Sequence, residues 1–567
     1  MKLSTPFTSP SRLSLLAASA LLAMASSAMA QEVKEAYAEF EGGPLWLPDG
    51  GLVGTVRPGP TLSQILTNPT PLAGATVNLS FKGVSQFDLR NILGGSYIPP
   101  DTHGAIGASQ YMETTNGVYG IYDKSTGALQ SMQSAATFWT AAGATGGLNG
   151  DARIMYDSVS QKWIALQFGA SVADIQIAVS TTSSATGAWK STKFTGFAGG
   201  TADYPTLAID SAGVYIGTNN FNSSNAYSGT TLNIISRADL FGATPTAANV
   251  VQFVTPYSAS SSTNVDRGYA IQGVNSKGAT SGRIIAAAAL SNTGPNAGNE
   301  VIRYNIANPG TAGATQGAVS IVGITNYANS NNPAAQPDGT FNIDSFDQRI
   351  GASAWEMNGK IYSVYGATPV AGSHTEVRFL ITNAATGAII QEGSIGDGVH
   401  DYYQGSITVN SSGQVVIGYN RSGLSAVDGK VSVMARTYNS DAAGKLVQTN
   451  EILLHVSDVG NYHNGSNEGL AAVGRQRWGD YSSVTIDPTN DQNFWVIGEY
   501  AAPWNNAAGC TPAVTPGCTQ TGGSTWGTWI SEISLAAVPE PQTYLMMIAG
   551  LFAVGGIARR KAASTQV

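Results

Sequence analysis

The sequence predicts an all-β fold built from seven repeats of a four-stranded unit, and three observations carry that prediction. Charged residues are only 11% of the 567, while glycine supplies 67; short strands joined by many tight turns have that make-up. An Asp recurs at spacings of about 50 to 80 residues, each followed by a short alternating strand, a polar turn and a more apolar strand. A third strand follows every copy, and most copies show a fourth. Four short strands per repeat is the pattern of a β-propeller blade, so seven copies predict a seven-bladed β-propeller.

The copies start at Asp101, Asp151, Asp203, Asp266, Asp347, Asp401 and Asp480. The seventh lacks a fourth strand, and an orphan strand, Thr76 to Val84, precedes the first. We expect the orphan to complete the last blade, which removes the open sheet edges that would otherwise pair with neighbours. Residues 31–74, rich in Gly, Pro and Leu, read as an arm packed over a propeller domain spanning 75–537.

Loop lengths are uneven. Turns between first and second strands, and most between third and fourth, are short. Insertions go into second-to-third loops and blade-to-blade connections, as at 326–346, 457–479 and 501–524. In a propeller both classes lie on one face, and elaborated loops on a rigid scaffold are where function usually sits. The two cysteines, Cys510 and Cys518, fall in the largest such loop and read as a small disulfide-closed loop.

The seven repeat Asp residues should ring the mouth of the central channel. They read either as a cation or polar-ligand site, or as a framework accepting backbone N–H groups where the inner strands begin. Asp157, Asp210 and Asp487, at the ends of inner strands, read as turn residues bonding their own backbone. Arg153, Arg267, Arg349 and Arg477 each lie within three residues of a repeat Asp. Such a cluster holds an acidic sugar's carboxylate bidentately, or pairs with the neighbouring Asp residues. Tyr402, Tyr403 and Tyr204 are placed to accompany it. Arginines with tyrosines and acids resemble the site of sialidases, but the nearest stretch to their repeated Asp-box, Ser183 to Trp189, has Ala185 where the box's Asp stands. Trp478, Tyr462, Trp504 and Trp526, in or beside top-face loops, are candidate sugar platforms. Trp163, Trp355 and Trp495 fall within strands and read as core. The stretch Arg477 to Tyr481 through Trp495 is similar to one in uncharacterised secreted bacterial propellers. No Gly-x-Ser-x-Gly elbow, His-Glu-x-x-His or phosphate-binding loop is present. No cofactor is implied beyond a cation in the channel, and the net charge of -8 argues against a nucleic-acid partner.

Both ends carry targeting signals. Lys2 and Arg12, the apolar run Leu13 to Met24 and the small-residue site Ala28-Met29-Ala30 form a secretory signal peptide over residues 1–30. At the other end stand Pro539-Glu540-Pro541, an apolar run from Tyr544 to Ala558, and Arg559-Arg560-Lys561. The run is at the short edge of what spans a bilayer, with its basic cluster on the cytoplasmic side. Residues 538–567 resemble the PEP-CTERM sorting signal, a transmembrane helix recognised and cleaved by exosortase. The resemblance implies Sec-dependent export, a transient inner-membrane anchor and delivery to the cell surface or exopolysaccharide matrix of a Gram-negative bacterium. The expected function is non-catalytic: the top face binds exopolysaccharide or a surface protein and supports biofilm cohesion. The alternative is a glycan-cleaving hydrolase or lyase using the same face, since a catalytic carboxylate pair is defined by distance in space.

Overall fold

The computed structural model describes residues 74–95, 97–257, 267–287, 300–328, 333–337, 339, 342–345, 349–370, 372–462, 475–503 and 524–536. Their regular structure is mostly antiparallel β-sheet, with three short helices among the described residues.

The first sheet takes His103–Ile106, Gln110–Thr115, Val118–Asp123 and Leu129–Ser134 in chain order. The second repeats that order with Arg153–Asp157, Lys162–Phe168, Asp174–Ser180 and Trp189–Thr195. In the third, Gly200–Asp203 and Ala208–Ile209 share the first position, followed by Gly213–Asn222, Tyr227–Ser236 and Val251–Pro256. The fourth has Tyr269–Ser276, Arg283–Ala287 and Glu300–Ala307, with Thr315–Gln316 and Ser320–Gly323 on its outer edge. The fifth has Ala354–Met357, Lys360–Pro369, Glu376–Asn383 and Ile389–Ile395, and a parallel pairing of Val274 to Ser276 with Ala354 to Glu356 joins it to the fourth as one continuous sheet. The sixth has Asp401–Val409, Val415–Ser422, Ser432–Ser440 and Leu446–Val456.

The seventh sheet breaks the rule of chain order. Ser483–Ile486, Asn493–Pro503 and Ser524–Leu535 supply three strands, and the fourth is Ala75–Ser85 from the other end of the chain. This is the orphan strand, one residue longer at each end than expected. It runs antiparallel to Ser524–Leu535, with Ala75 opposite Leu535 and Ser85 opposite Gly527.

Neighbouring sheets bury apolar side chains between them. Met112 of the first packs with Trp163 of the second, and Leu166 of the second with Ile216 of the third. Leu232 meets Ile284, Val274 meets Ala354, Val377 meets Ile407, and Val433 meets Val496, continuing the pattern to the seventh. The seventh then packs on the first, Trp495 stacking on Tyr111 at 5.3 Å. First strands and the residues on either side of them, from six of the sheets, line a cavity of about 80 Å³.

The turns follow from short polar side chains. Asp123 Oδ1 accepts the N–H groups of Ser125 and Thr126, and Asn383 Oδ1 those of Ala385 and Thr386. Each turn ends on a left-handed glycine, Gly127 at φ 69° and Gly387 at φ 76°. Asp157, Asp210 and Asp487 do bond their own turns, to Val159, Ala212 and Thr489 N–H. Asp157 and Asp487 also pair with Arg237 and Lys124. The helices were not expected. The longest, Gln86–Leu93, starts where the closing strand ends, because Ser85 and Asp88 form a reciprocal capping box. Trp163 and Trp495 are fully buried and Trp355 is half-buried.

The closing strand is held by a buried acid. Glu113 Oε1 accepts Val84 N–H at 2.6 Å and Tyr122 O–H at 2.5 Å, and Oε2 lies 2.8 Å from Thr528 Oγ1. Burial pushes the Glu113 carboxyl up to about 7. Thr528 Oγ1 also donates to Val84 O, so it can accept a proton from a neutral Glu113 and pass on its own. A Cβ on Gly83 would collide with Glu113 Oε1 and Thr528 Oγ1. Gly83→Val is therefore expected to destabilise the protein by about 2–4 kcal/mol, with proteolysis starting near the closing strand. Denaturant unfolding and limited proteolysis would measure both, and an unchanged midpoint would contradict this account of closure.

Candidate functional site

The repeat Asp residues act first as staples between sheets. Asp101 and Asp151 sit in the left-handed region, at φ 49° and 61°, where their chains turn into the first strand. Asp101 Oδ1 accepts the backbone N–H of Asp480 in the seventh sheet at 2.9 Å, and its Oδ2 accepts Asn116 Nδ2 at 2.7 Å. Asn116 Oδ1 then accepts Asp151 N–H at 3.0 Å, and Asp151 Oδ2 accepts Tyr204 N–H at 3.2 Å. One chain of bonds thus runs from the seventh sheet through the first and second to the third. Asn219 repeats the role of Asn116 by accepting Ala270 N–H at 2.8 Å. Asn420 Nδ2 reaches Glu499 O, also at 2.8 Å.

These staples gather carboxyls out of water. Asp101 is pushed up to about 7 by burial and then by the Asp480 charge, against the pull of Arg477. Asp203 is pushed up to about 6 by burial and Asp480, opposed by Arg349. Burial, then Asp203, holds Asp151 well above the usual carboxylate range. Glu499, fully buried, is raised in the same way by burial and then Asp101. Asp480 is raised by burial, with Arg477 and Arg349 opposing. Burial and mutual repulsion thus favour the neutral forms across the whole group, against the pull of the neighbouring arginines.

Three arginines enter the same group. Arg477 lies 3.0 Å from Asp480 and 3.3 Å from Asp344. Arg153, 1% exposed, stacks 3.3 Å over the Tyr481 ring and donates from Nε to Pro205 O at 2.8 Å. Arg349 lies 4.0 Å over the Tyr204 ring, and its Nη2 donates to Tyr269 Oη at 3.1 Å. Desolvated cations thus find π faces, carbonyls or carboxylates.

Several expectations need correction. Tyr402 does not join the arginines: its hydroxyl donates to Asp397 at 3.1 Å and its ring meets Tyr419 at 5.6 Å, inside the core between the fifth and sixth sheets. Tyr403 bonds Ser422 instead, and Arg267 donates to Gly317 O. Tyr204 and Tyr481 are the tyrosines against Arg153. Trp478, Tyr462 and Trp526 are core residues, each 0% exposed, and offer no face to a sugar. Trp478 meets Tyr462 edge-on at 4.6 Å, and Trp526 Nε1 donates to Tyr97 O at 3.0 Å. Large aromatics beside long loops cover the ends of the sheets, which removes them from water. Asp401 stands apart from the other acids, accepting Thr375 and Ala335 N–H, each at 2.9 Å. Among the described residues no three His, Cys, Asp or Glu side chains are placed to hold a metal ion.

Asp266, Asp347, Trp504, Cys510, Cys518, Ala28, Ala30 and the sorting residues Pro539, Glu540, Pro541, Arg559 and Arg560 lie outside the described residues, as does the arm at 31–73. Among the described residues no helix is long and apolar enough to cross a membrane. Asn116, Asn219, Asp344 and Glu499 were missed by the sequence reading. The asparagines share a place in the repeat, Asn116 just after the second strand Gln110–Thr115 and Asn219 near the end of the second strand Gly213–Asn222.

Because Asp101, Asp151, Asp203, Asp480 and Glu499 are all raised, their contribution to stability is complete below the ordinary carboxylate range and is lost as pH rises. Thermal unfolding should therefore move to lower temperature between about pH 5 and pH 8. Glu499→Gln, neutral at every pH, should raise the midpoint at pH 8 by about 1–3 °C and leave pH 5 nearly unchanged. Scanning calorimetry at the two pH values tests the sign, and an increase in wild-type stability with pH would refute it.

No family model matches the chain, and no curated protein does. Solved structures similar to it include the WD40 domain of SCAP from fission yeast, at 7% identity over 76% of this chain and 82% of that one, with a TM-score of 0.33. A protein of unknown function from Dyadobacter fermentans DSM 18053 shows 9% identity over 82% and 100%, with a TM-score of 0.35. Hsv2 from Kluyveromyces lactis shows 9% identity over 72% and 94%, also at 0.35.

Proposed function

We propose that this chain is a seven-bladed β-propeller, closed by its N-terminal strand, that is exported, processed by exosortase and retained at the cell surface or in the exopolysaccharide matrix. Its role there is to bind glycan or a protein partner without turning it over, contributing to biofilm cohesion. The closed ring is supported by the sequential packing of the sheets and by Ala75–Ser85 beside Ser524–Leu535. Export rests on the two terminal signals.

One observation carries the non-catalytic reading: the groups an acidic-sugar hydrolase would need are already committed within the protein. Arg477 is paired with Asp344 and Asp480, Arg153 is stacked on Tyr481, and Asp101 and Asp151 accept backbone N–H groups of adjoining sheets. A framework that spends its charges on itself leaves recognition to the loops.

Glycan cleavage is the second reading, favoured by Asp203. It is half-buried, raised to about 6, and stands beside the charge of Asp480, which suits a general acid next to a carboxylate. A glycan array and a release assay with the producer's own exopolysaccharide separate the two. Saturable binding without product is expected. Released reducing ends or unsaturated sugars, lost in Asp203→Asn, would replace the binding reading with the enzymatic one. Arg477→Ala, which removes the guanidinium that Asp344 and Asp480 share, is expected to cost about 3–5 kcal/mol of stability. If it left the fold intact and only abolished product release, Arg477 would belong to a catalytic site.

A further inference from the structure

The cavity of about 80 Å³ lies on the far side of His103 from the acids, and its chemistry is different. Ile106, Ile154, Leu207, Ile209, Val484 and Ile486 give it an apolar wall. At its inner end His103 Nδ1 accepts Ile154 N–H at 3.3 Å, which leaves the ring's proton on Nε2. Burial, then the charge of Arg153, holds this imidazole well below its ordinary value, so the inner end carries no charge.

The outer end is set by the last residues of the first strands. Asp157 lines it and is paired with Arg237, so its charge is matched. Lys277 also lines it, is exposed, and has no ion pair among the described residues. A partly open apolar cavity, uncharged within and with one unmatched cation at its rim, is complementary to an amphiphile with a single anionic head.

We propose that this cavity is a binding site for a free fatty carboxylate, its alkyl chain lying along the apolar wall toward His103 and its head at Lys277. The site is separate from the acid and arginine group and from any glycan face, so it stands or falls without the preceding proposal.

Isothermal titration of the full chain with hexanoate, octanoate and decanoate tests it, with decanol as the uncharged control. Saturable one-to-one binding is expected, tightening about fourfold for each added CH₂. Decanol should bind more weakly than decanoate. Lys277→Glu, at an exposed position, should weaken decanoate about tenfold or more and leave decanol unchanged. Absence of saturable binding by decanoate, an affinity independent of chain length, or equal decanoate affinity in Lys277→Glu would each overturn the proposal.

Discussion

The structure depends on hydrogen bonds that cross from one sheet to the next at a strained turn. Where the chain swings into a first strand, a non-glycine residue takes a left-handed backbone: Asp101, Asp151, Tyr204, Ala270 and Gln404, at φ between 49° and 61°. Each such residue costs about 1–3 kcal/mol unless its surroundings fix it. The surroundings here are an amide or a carboxyl on the adjoining sheet. Asp151 Oδ2 holds Tyr204 N–H and Asn219 Oδ1 holds Ala270 N–H, both residues being left-handed themselves. Apolar packing between sheets is plentiful but non-directional and would tolerate sliding. A backbone N–H bound at about 3 Å does not, so the register of one sheet against the next is set at these points.

Concentrating these bonds at one end has an electrostatic consequence. Asp101 and Asp151, which staple sheets, bring their carboxyls into the volume that also holds Asp203, Asp480 and Glu499, and the volume excludes water. The charged forms then repel one another at low effective dielectric, which raises the whole group toward neutrality. Arg477, Arg349 and Arg153 limit the effect, and their placement is informative. Arg477 sits between two carboxylates, whereas Arg153 and Arg349 lie over tyrosine rings. A guanidinium over a ring retains its charge without fixing any single carboxylate, so Arg153 and Arg349 oppose the rise of Asp151, Asp203 and Asp480 without pairing with one of them.

The repeat was legible because it is local. An Asp, an alternating strand, a polar turn and an apolar strand are all short-range signals, and the turn residues Asp157, Asp210 and Asp487 obey rules that need only the next two residues. The origin of the missing fourth strand was legible for a different reason: an orphan strand and an incomplete repeat balance each other. Tyr402 and the aromatic platform failed because exposure is a property of packing. Trp478 lies two residues before Asp480 in sequence, yet its ring turns into the core against Tyr462. Glu499 and Glu113 could not be found from spacing, since each matters through a partner hundreds of residues away, Thr102 in one case and Thr528 in the other. The helix Gln86–Leu93 was hidden by its length, although its Ser85 and Asp88 capping pair stands in the sequence.

His103 marks the boundary between two different interiors. On one side its neighbours are Arg153, 1% exposed, and the Tyr481 ring, 5.9 Å away. On the other its ring faces the isoleucines and valines of the cavity. A charged imidazole here would be repelled by Arg153 and starved of water by the apolar wall, and both effects hold it neutral. That neutrality lets a polar cluster and an apolar cavity lie end to end within one set of first strands. Residues at the start of the strands serve the acid staples, whereas Ile106, Ile209 and Ile486, at strand ends, line the cavity. Pressure for register at one end therefore leaves the other free to take whatever lining a ligand requires, without loosening the frame.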